Sequence, residues 1–148
     1  MKKIIFVCLG NICRSPIAEA CAQKFIQEHK LPIIASSAGT GSWHVGEPPC
    51  PDSVRVAKLH GLSISSLRAS QFKKNDSAKY DLVVALDAHN YSDLQALGAK
   101  NLVKLGEYGY EGEDIPDPYF FDGFEGFERV FTMIESCVNN LLMQELKT

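Results

Sequence analysis

A short apolar run, Ile4-Ile5-Phe6-Val7, leads straight into Cys8-Leu9-Gly10-Asn11-Ile12-Cys13-Arg14-Ser15-Pro16, and a helical pattern follows. This junction constrains the fold more than any other segment of the 148-residue chain. It reads as a strand, a tight loop and a helix start, with a thiol at the strand end and an arginine where the helix begins. A loop that curls before a helix aims several backbone N–H groups at one spot, and the positive end of the helix dipole points there too. A phosphate oxyanion suits that spot, and Arg14 can grip two of its oxygens at once. The same field favours a thiolate, the reactive form of cysteine, over a thiol. Gly10 and Asn11 both tolerate the positive φ of a tight turn. Ser15 is a good N-cap and Pro16 a good first helical residue. Alternatively, Ser15 aims its hydroxyl at the Cys8 sulfur and eases its departure as a leaving group. A cysteine that ends a buried strand is by default an inert small hydrophobe, so the surrounding loop and helix start carry the reading. No Gly-x-x-x-x-Gly-Lys-Ser/Thr pattern is present, and nucleotide binding through such a loop is unsupported.

Further along, strands alternate with helices. Strands are expected over about Lys3 to Cys8, Ile33 to Ser37, Leu82 to Leu86 and Asn101 to Lys104. The apolar run Leu82-Val83-Val84-Ala85-Leu86 suits a buried parallel strand. Helices are expected over about Ser15 to Glu28, Asp52 to Leu59 (ended by Gly61), Ser70 to Asn75, Ala88 to Leu97 and Phe124 to Leu146. The last carries Phe127, Val130, Phe131, Ile134, Val138, Leu141 and Leu142 on one stripe. Gly46-Glu47-Pro48-Pro49-Cys50-Pro51 cannot be regular structure, and Gly106 to Asp122 is a long loop. The expected fold is α/β: one three-layer domain over residues 1–148, a four-stranded parallel sheet flanked by helices, with the phosphate loop after strand one. Ligands bind such folds at the carboxyl ends of the strands. Cys8, the loop after Ser37, Asp87 and the loop after Lys104 all fall on that rim.

A net charge of −3 argues against a general nucleic-acid binder, though a local pocket can still be positive. The apolar stretch after Lys2-Lys3 is too short for a secretion signal, and no run approaches membrane-spanning length. The five cysteines show no zinc or disulfide-framework spacing. Reduced thiols and a cytoplasmic location are expected. Cys21, Cys50 and Cys137 read as structural or surface residues.

Val7 to Pro16 resembles the phosphate loop of the low-molecular-weight protein tyrosine phosphatases: Cys, five residues, Arg, then Ser/Thr. Ser36-Ser37-Ala38-Gly39-Thr40 with Trp43 resembles the segment after that family's second strand. Tyr80-Asp81-Leu82-Val83-Val84-Ala85-Leu86-Asp87 resembles its third strand, and Asp117-Pro118-Tyr119 its general-acid loop. The likeness runs from residue 1 to about 143. It implies that Cys8, Arg14 and Asp117 are catalytic and that Leu9, Gly10, Asn11, Ile12, Cys13, Arg14 and Ser15 hold the phosphate. Without it, spacing cannot choose among Asp114, Asp117 and Asp122 for the acid, and an Asp-Pro pair is also an ordinary turn former. Trp43 and Tyr119 look like the aromatic walls of the family's pocket. Asn11, Ser15, Asp87 and Asn90 resemble a shell that braces the loop, while Asp87 also suits a plain N-cap. Many members can join a second loop cysteine to the nucleophile in a reversible disulfide; Cys13 is either that residue or a small packing group. Two departures stand out. Ser66 replaces a histidine that often joins the bracing network, and Phe120 replaces an aromatic hydroxyl. His60 and His89 read as ordinary surface or helix-end residues.

The resemblance thus implies a cysteine-dependent phosphatase acting on phosphotyrosine in proteins. It would release inorganic phosphate, need no metal or cofactor, engage neither nucleic acid nor membrane, and work as a monomer. Three rivals remain. An arsenate reductase of the same fold would want a further cysteine pair near the third strand, where positions 61 to 136 hold none. A non-catalytic phosphate- or phosphotyrosine-binding module would lack the acid. A sugar-transport phosphocarrier would not need Arg14.

Overall fold

A computed structural model describes residues 1–146. Four parallel strands, β1 (Lys2–Cys8), β2 (Ile33–Gly39), β3 (Leu82–Ala85) and β4 (Leu102–Lys104), form one sheet in the order β2-β1-β3-β4. The central β1 pairs on both edges, Phe6 standing opposite Ser37 of β2 and Val84 of β3.

Strand periodicity divides the apolar residues between two faces. Ile4, Phe6 and Cys8 of β1, with Val84, join the larger core. That core holds Ile17, Cys21 and Phe25 of α1 (Ser15–His29), Val56 and Ala57 of α2 (Pro51–Leu59), and the buried stripe of α4 (Glu125–Leu146). The stripe comprises Phe127, Val130, Phe131, Ile134, Cys137, Val138, Leu141 and Leu142. Ile5 and Val7 face the opposite way and pack with Val83, Ala85, Phe72 and Leu94 of α3 (Ala88–Ala96). This is the expected three-layer arrangement. His60 ends α2, stacks on Phe131 at 4.1 Å and meets Glu128 at 2.9 Å, while His89 lies 3.5 Å from Asp93 on α3.

One expected element is absent: Ser70 to Asn75 is not a helix. Gly39 N–H donates to the Ser70 carbonyl at 2.8 Å, and Phe72 N–H donates to the Gly39 carbonyl at 2.7 Å. The segment therefore lies extended along the end of β2, bridging Gly39 to Gln71, and this pose seats Phe72 in the smaller core. A short 3₁₀ turn follows at Asp76–Lys79. Burial of one phenyl ring and two backbone hydrogen bonds outweigh a weak local helix preference.

Candidate active site

From β1 the chain crosses one way to β2, and β3 then pairs on the other edge of β1. The loops after β1 and β3 part at this switch point and leave a crevice at the carboxyl ends of the strands. An open cleft of about 230 Å³ lies there. Its lining includes Cys8, Leu9, Gly10, Ile12, Cys13 and Arg14 from the loop after β1, Trp43 and His44 from the loop after β2, and Asp117 and Tyr119 from the long loop before α4.

The loop is held in shape from within. Cys8 Sγ lies 3.0 Å from Ser15 Oγ and accepts the Asn11 backbone N–H at 3.2 Å. Asn11 takes the left-handed conformation, with φ 57°. Its buried amide donates to Ser15 Oγ at 2.7 Å and to Ser37 Oγ at 3.0 Å, and its Oδ1 accepts the Ser70 N–H at 3.0 Å. Ser37 Oγ in turn donates to Glu19 Oε1 at 2.6 Å. A hydrogen-bonded chain thus runs from buried Glu19 through Ser37, Asn11 and Ser15 to the Cys8 sulfur. Burial pushes the Glu19 carboxyl up despite its acceptor bonds from Ser37 and Gln23.

Two details differ from the sequence reading. Ser15 is not the N-cap: Arg14 holds that position, Ser15 is already helical, and its hydroxyl serves Cys8. Gly10 does not have positive φ, unlike Asn11; it lies under the His44 ring, where an added Cβ would stand 3.0 Å from Cδ2. Glycine is required instead at Gly39, where a Cβ would sit 2.7 Å from the Leu9 carbonyl oxygen and 3.1 Å from the Asn11 nitrogen. β2 can press against the loop after β1 only because position 39 has no side chain. Backbone bonds from Thr40 N–H to the Cys8 carbonyl and from Gly41 N–H to the Leu9 carbonyl, both 2.9 Å, fasten the next loop.

Arg14 is anchored at two points: its Nη1 donates to Asp87 Oδ2 at 2.7 Å and to the Ile115 carbonyl at 2.9 Å. Burial works against its charge, yet the Cys8 sulfur and Asp87 raise its pKa on balance. The other Asp87 oxygen accepts the Asn90 N–H at 2.7 Å and so caps α3. Asp87 thus contacts Arg14 and caps α3 at the same time. Asn90 does not brace the loop through its side chain, whose buried amide makes no hydrogen bond to any described residue.

Only one of the three acidic candidates lines the cleft. Asp114 Oδ1 accepts the Ala88 N–H and pairs with Lys104, both at 2.9 Å. Asp122 lies in a separate depression with Phe121, Glu125 and Arg129. Asp117 faces Cys8 and Arg14 across the cleft, its Oδ1 accepting the Tyr119 N–H at 3.0 Å. Trp43 and Tyr119 stand at the mouth, 71% and 59% exposed, and Trp43 folds its ring over Gly41. Phe120, beside Tyr119, is exposed.

Two residues of this region were missed. His44 lines the cleft, with Nδ1 3.0 Å from Glu47 Oε2; its place after Trp43 was the one available signal. Cys50, read as structural, sits 2.7 Å from the Cys13 sulfur. Cys13 therefore faces Cys50, where the family likeness suggested Cys8. Cys21 and Cys137 do behave as core residues, burial pushing their thiols up to about 12 and about 11.

The sequence profile described as low molecular weight phosphotyrosine protein phosphatase matches residues 3–148. A relative named low molecular weight protein-tyrosine-phosphatase PtpA, from Staphylococcus aureus, is 35% identical over 147 residues, covering 96% of this chain and 92% of its own. A solved protein tyrosine phosphatase from Entamoeba histolytica, with Hepes in its active site, superposes with a TM-score of 0.92 at 33% identity, covering 99% and 98% of the two chains. YfkJ from Bacillus subtilis gives a TM-score of 0.90 at 35% identity, covering 99% and 96%.

Proposed function

Since the chain belongs to the low molecular weight phosphotyrosine protein phosphatase family, we propose that Cys8 is its nucleophile, Asp117 its acid and then base, and Arg14 with the loop amides its phosphate clamp. The protein is a protein-tyrosine phosphatase; its substrates are phosphoproteins and its product is phosphate. One observation supports the residue assignments: Asp117, about a hundred residues away in sequence, lines the same cleft as Cys8 and Arg14.

The Cys8 thiolate attacks phosphorus opposite the tyrosine oxygen, and a phosphocysteine forms as the P–O bond breaks. Asp117 gives its proton to the departing phenolate, a step worth about 10²–10⁴-fold in rate. Arg14, fixed by Asp87 and the Ile115 carbonyl, is preorganised to hold the equatorial oxygens as charge moves through the transition state. Water, deprotonated by Asp117, then attacks phosphorus. The sulfur leaves as thiolate, stabilised by the Ser15 hydroxyl and the Asn11 N–H. Trp43 and Tyr119 flank the substrate's phenyl ring, each ring contact worth about 0.5–1.5 kcal/mol.

Hydrolysis of an aryl phosphate by the purified protein, with chelator present, tests this reading. Cys8→Ser should abolish turnover while phosphate still binds, and Asp117→Asn should lower kcat by about 10²–10⁴-fold with little change in phosphate affinity. Full activity in Cys8→Ser would end the assignment. The relatives are phosphatases, and nothing in the cleft favours the arsenate reductase or binding-module rivals. We also infer one domain over residues 1–148, acting as a monomer in the cytoplasm. Five free thiols support a reducing compartment, and among the described residues no helix is long and apolar enough to cross a membrane. A dimer in sedimentation equilibrium would overturn the monomer.

A further inference from the structure

Cys13 and Cys50 are both free thiols, and their sulfurs stand 2.7 Å apart although 37 residues separate them. Neither has a task in the phosphoryl transfer described above beyond the place of Cys13 in the loop. The surroundings favour one thiolate and one thiol. Ser53 Oγ lies 3.0 Å from the Cys50 sulfur. The hydrogen bond from Cys13 is the largest influence holding the Cys50 thiol down, to about 6, with Ser53 and Tyr119 adding to it against the cost of burial. The same hydrogen bond holds the Cys13 proton in place and raises its pKa. The backbone around the pair is already fastened. Cys50 N–H donates to the Ile12 carbonyl at 2.8 Å, and Ser53 Oγ donates to the Cys13 carbonyl at 2.9 Å. A bonded pair of sulfurs, about 2.05 Å apart, needs side-chain movement and no rearrangement of these segments.

We propose that Cys13 and Cys50 form a reactive dithiol site which hydrogen peroxide oxidises to a reversible disulfide beside the phosphate loop, leaving the Cys8 sulfur free. The Cys50 thiolate attacks one peroxide oxygen. An S–O bond forms, the O–O bond breaks, and hydroxide leaves and is protonated to water. Cys50 is now a sulfenic acid, oxidised by two electrons, and the peroxide is reduced by the same two. The Cys13 thiol gives up its proton and attacks the Cys50 sulfur. The S–S bond forms as the S–O bond breaks, and a second water departs. A dithiol reductant reverses the reaction by exchange. Peroxide is small enough to enter through the cleft that Cys13 lines. The disulfide would fasten the phosphate loop to the start of α2. Because Cys13 is engaged by Cys50, the bond forms there in preference to a Cys8–Cys13 bond. This reading is independent of the role given to Cys8.

The test treats the full chain with a modest excess of hydrogen peroxide, traps remaining thiols with N-ethylmaleimide in acidic denaturant, and digests with trypsin without reductant. Residues 4–14 carry both Cys8 and Cys13, and residues 31–55 carry Cys50. The expected major oxidised species is these two peptides joined, with maleimide on Cys8 and the linkage at Cys13 by fragmentation. Dithiothreitol should return both peptides to the free form, and Cys50→Ser should lose the joined species. Three results would each overturn the proposal: residues 4–14 recovered alone and two hydrogens light, which marks a Cys8–Cys13 bond; Cys50 recovered wholly as the maleimide adduct; or Cys50 carried to the sulfinic acid without cross-linking. All three are read on the wild-type chain, so the test does not depend on a variant folding.

Discussion

The Cys8 sulfur has a close neighbour in Asn11, which does the work of a glycine and of a hydrogen-bonding hub at once. It accepts a left-handed φ of 57° and satisfies three partners: Ser15, Ser37 and the Ser70 N–H. Asparagine is among the few side chains that enter this region at low cost. Asn11→Ala leaves the Ser70 N–H unpaired and frees Ser15 to turn from Cys8. Thermal melting should therefore report a loss of about 1–3 kcal/mol, and kcat should fall further than Asn11→Gly lowers it, since glycine keeps the turn. The loop's membership was legible in the sequence because Cys8, Arg14 and their spacing belong to one contiguous segment. The precise duties of Ser15 and Gly10 were not legible. The N-cap position was decided by one residue of helix register, and the role of Gly10 by a ring, His44, that arrives from another loop.

At the scale of elements, Asp87 joins the end of β3, the start of α3 and the side chain of Arg14. Its two oxygens separate these duties, one for the Asn90 N–H and one for Arg14. Asp87→Asn keeps an effective cap, because asparagine caps as well as aspartate, but removes the charge opposite Arg14. Asp87→Ala loses both. Urea denaturation should show Asp87→Ala less stable than Asp87→Asn by about 0.5–2 kcal/mol, while phosphate inhibition should weaken in both. The main strands and helices could be read from periodicity and caps, since β1, β3 and α4 carry their own patterns. The stretch Ser70 to Asn75 could not. Its conformation depends on Gly39, more than thirty residues earlier, and on a pocket for Phe72 that exists only after the sheet has formed. Cys50 escaped notice for a similar reason: nothing local in a proline-rich loop says that it will meet Cys13.

For the molecule as a whole, acid-base behaviour couples to folding through Glu19. Its carboxyl is raised by burial, so the folded protein keeps this proton to a higher pH than the unfolded chain, where the value is about 4.3. Below that value both states are protonated and the contribution is complete. As the pH climbs through the raised folded value, the unfolded chain binds fewer protons and stability is lost. Melting temperature measured against pH should fall across this window, and Glu19→Gln should be flatter there than wild type; parallel curves would show that Glu19 does not titrate in this way. The location of the crevice was foreseeable from topology alone, since the strand order places it. The electrostatic link from Glu19 to the sulfur was not, because it passes through side chains of α1, β2 and the phosphate loop.

Because the Cys8 loop springs from β1, the order in which the enzyme comes apart follows from the sheet. The sheet's middle strand, paired on both edges and covered on both faces, belongs to the part that opens last. The aromatic rims ride on exposed loops and belong to the part that opens first. Warming or mild denaturant should loosen the grip on the phenyl ring while the sulfur and its guanidinium companion are still in register, so discrimination between substrates fades before turnover does.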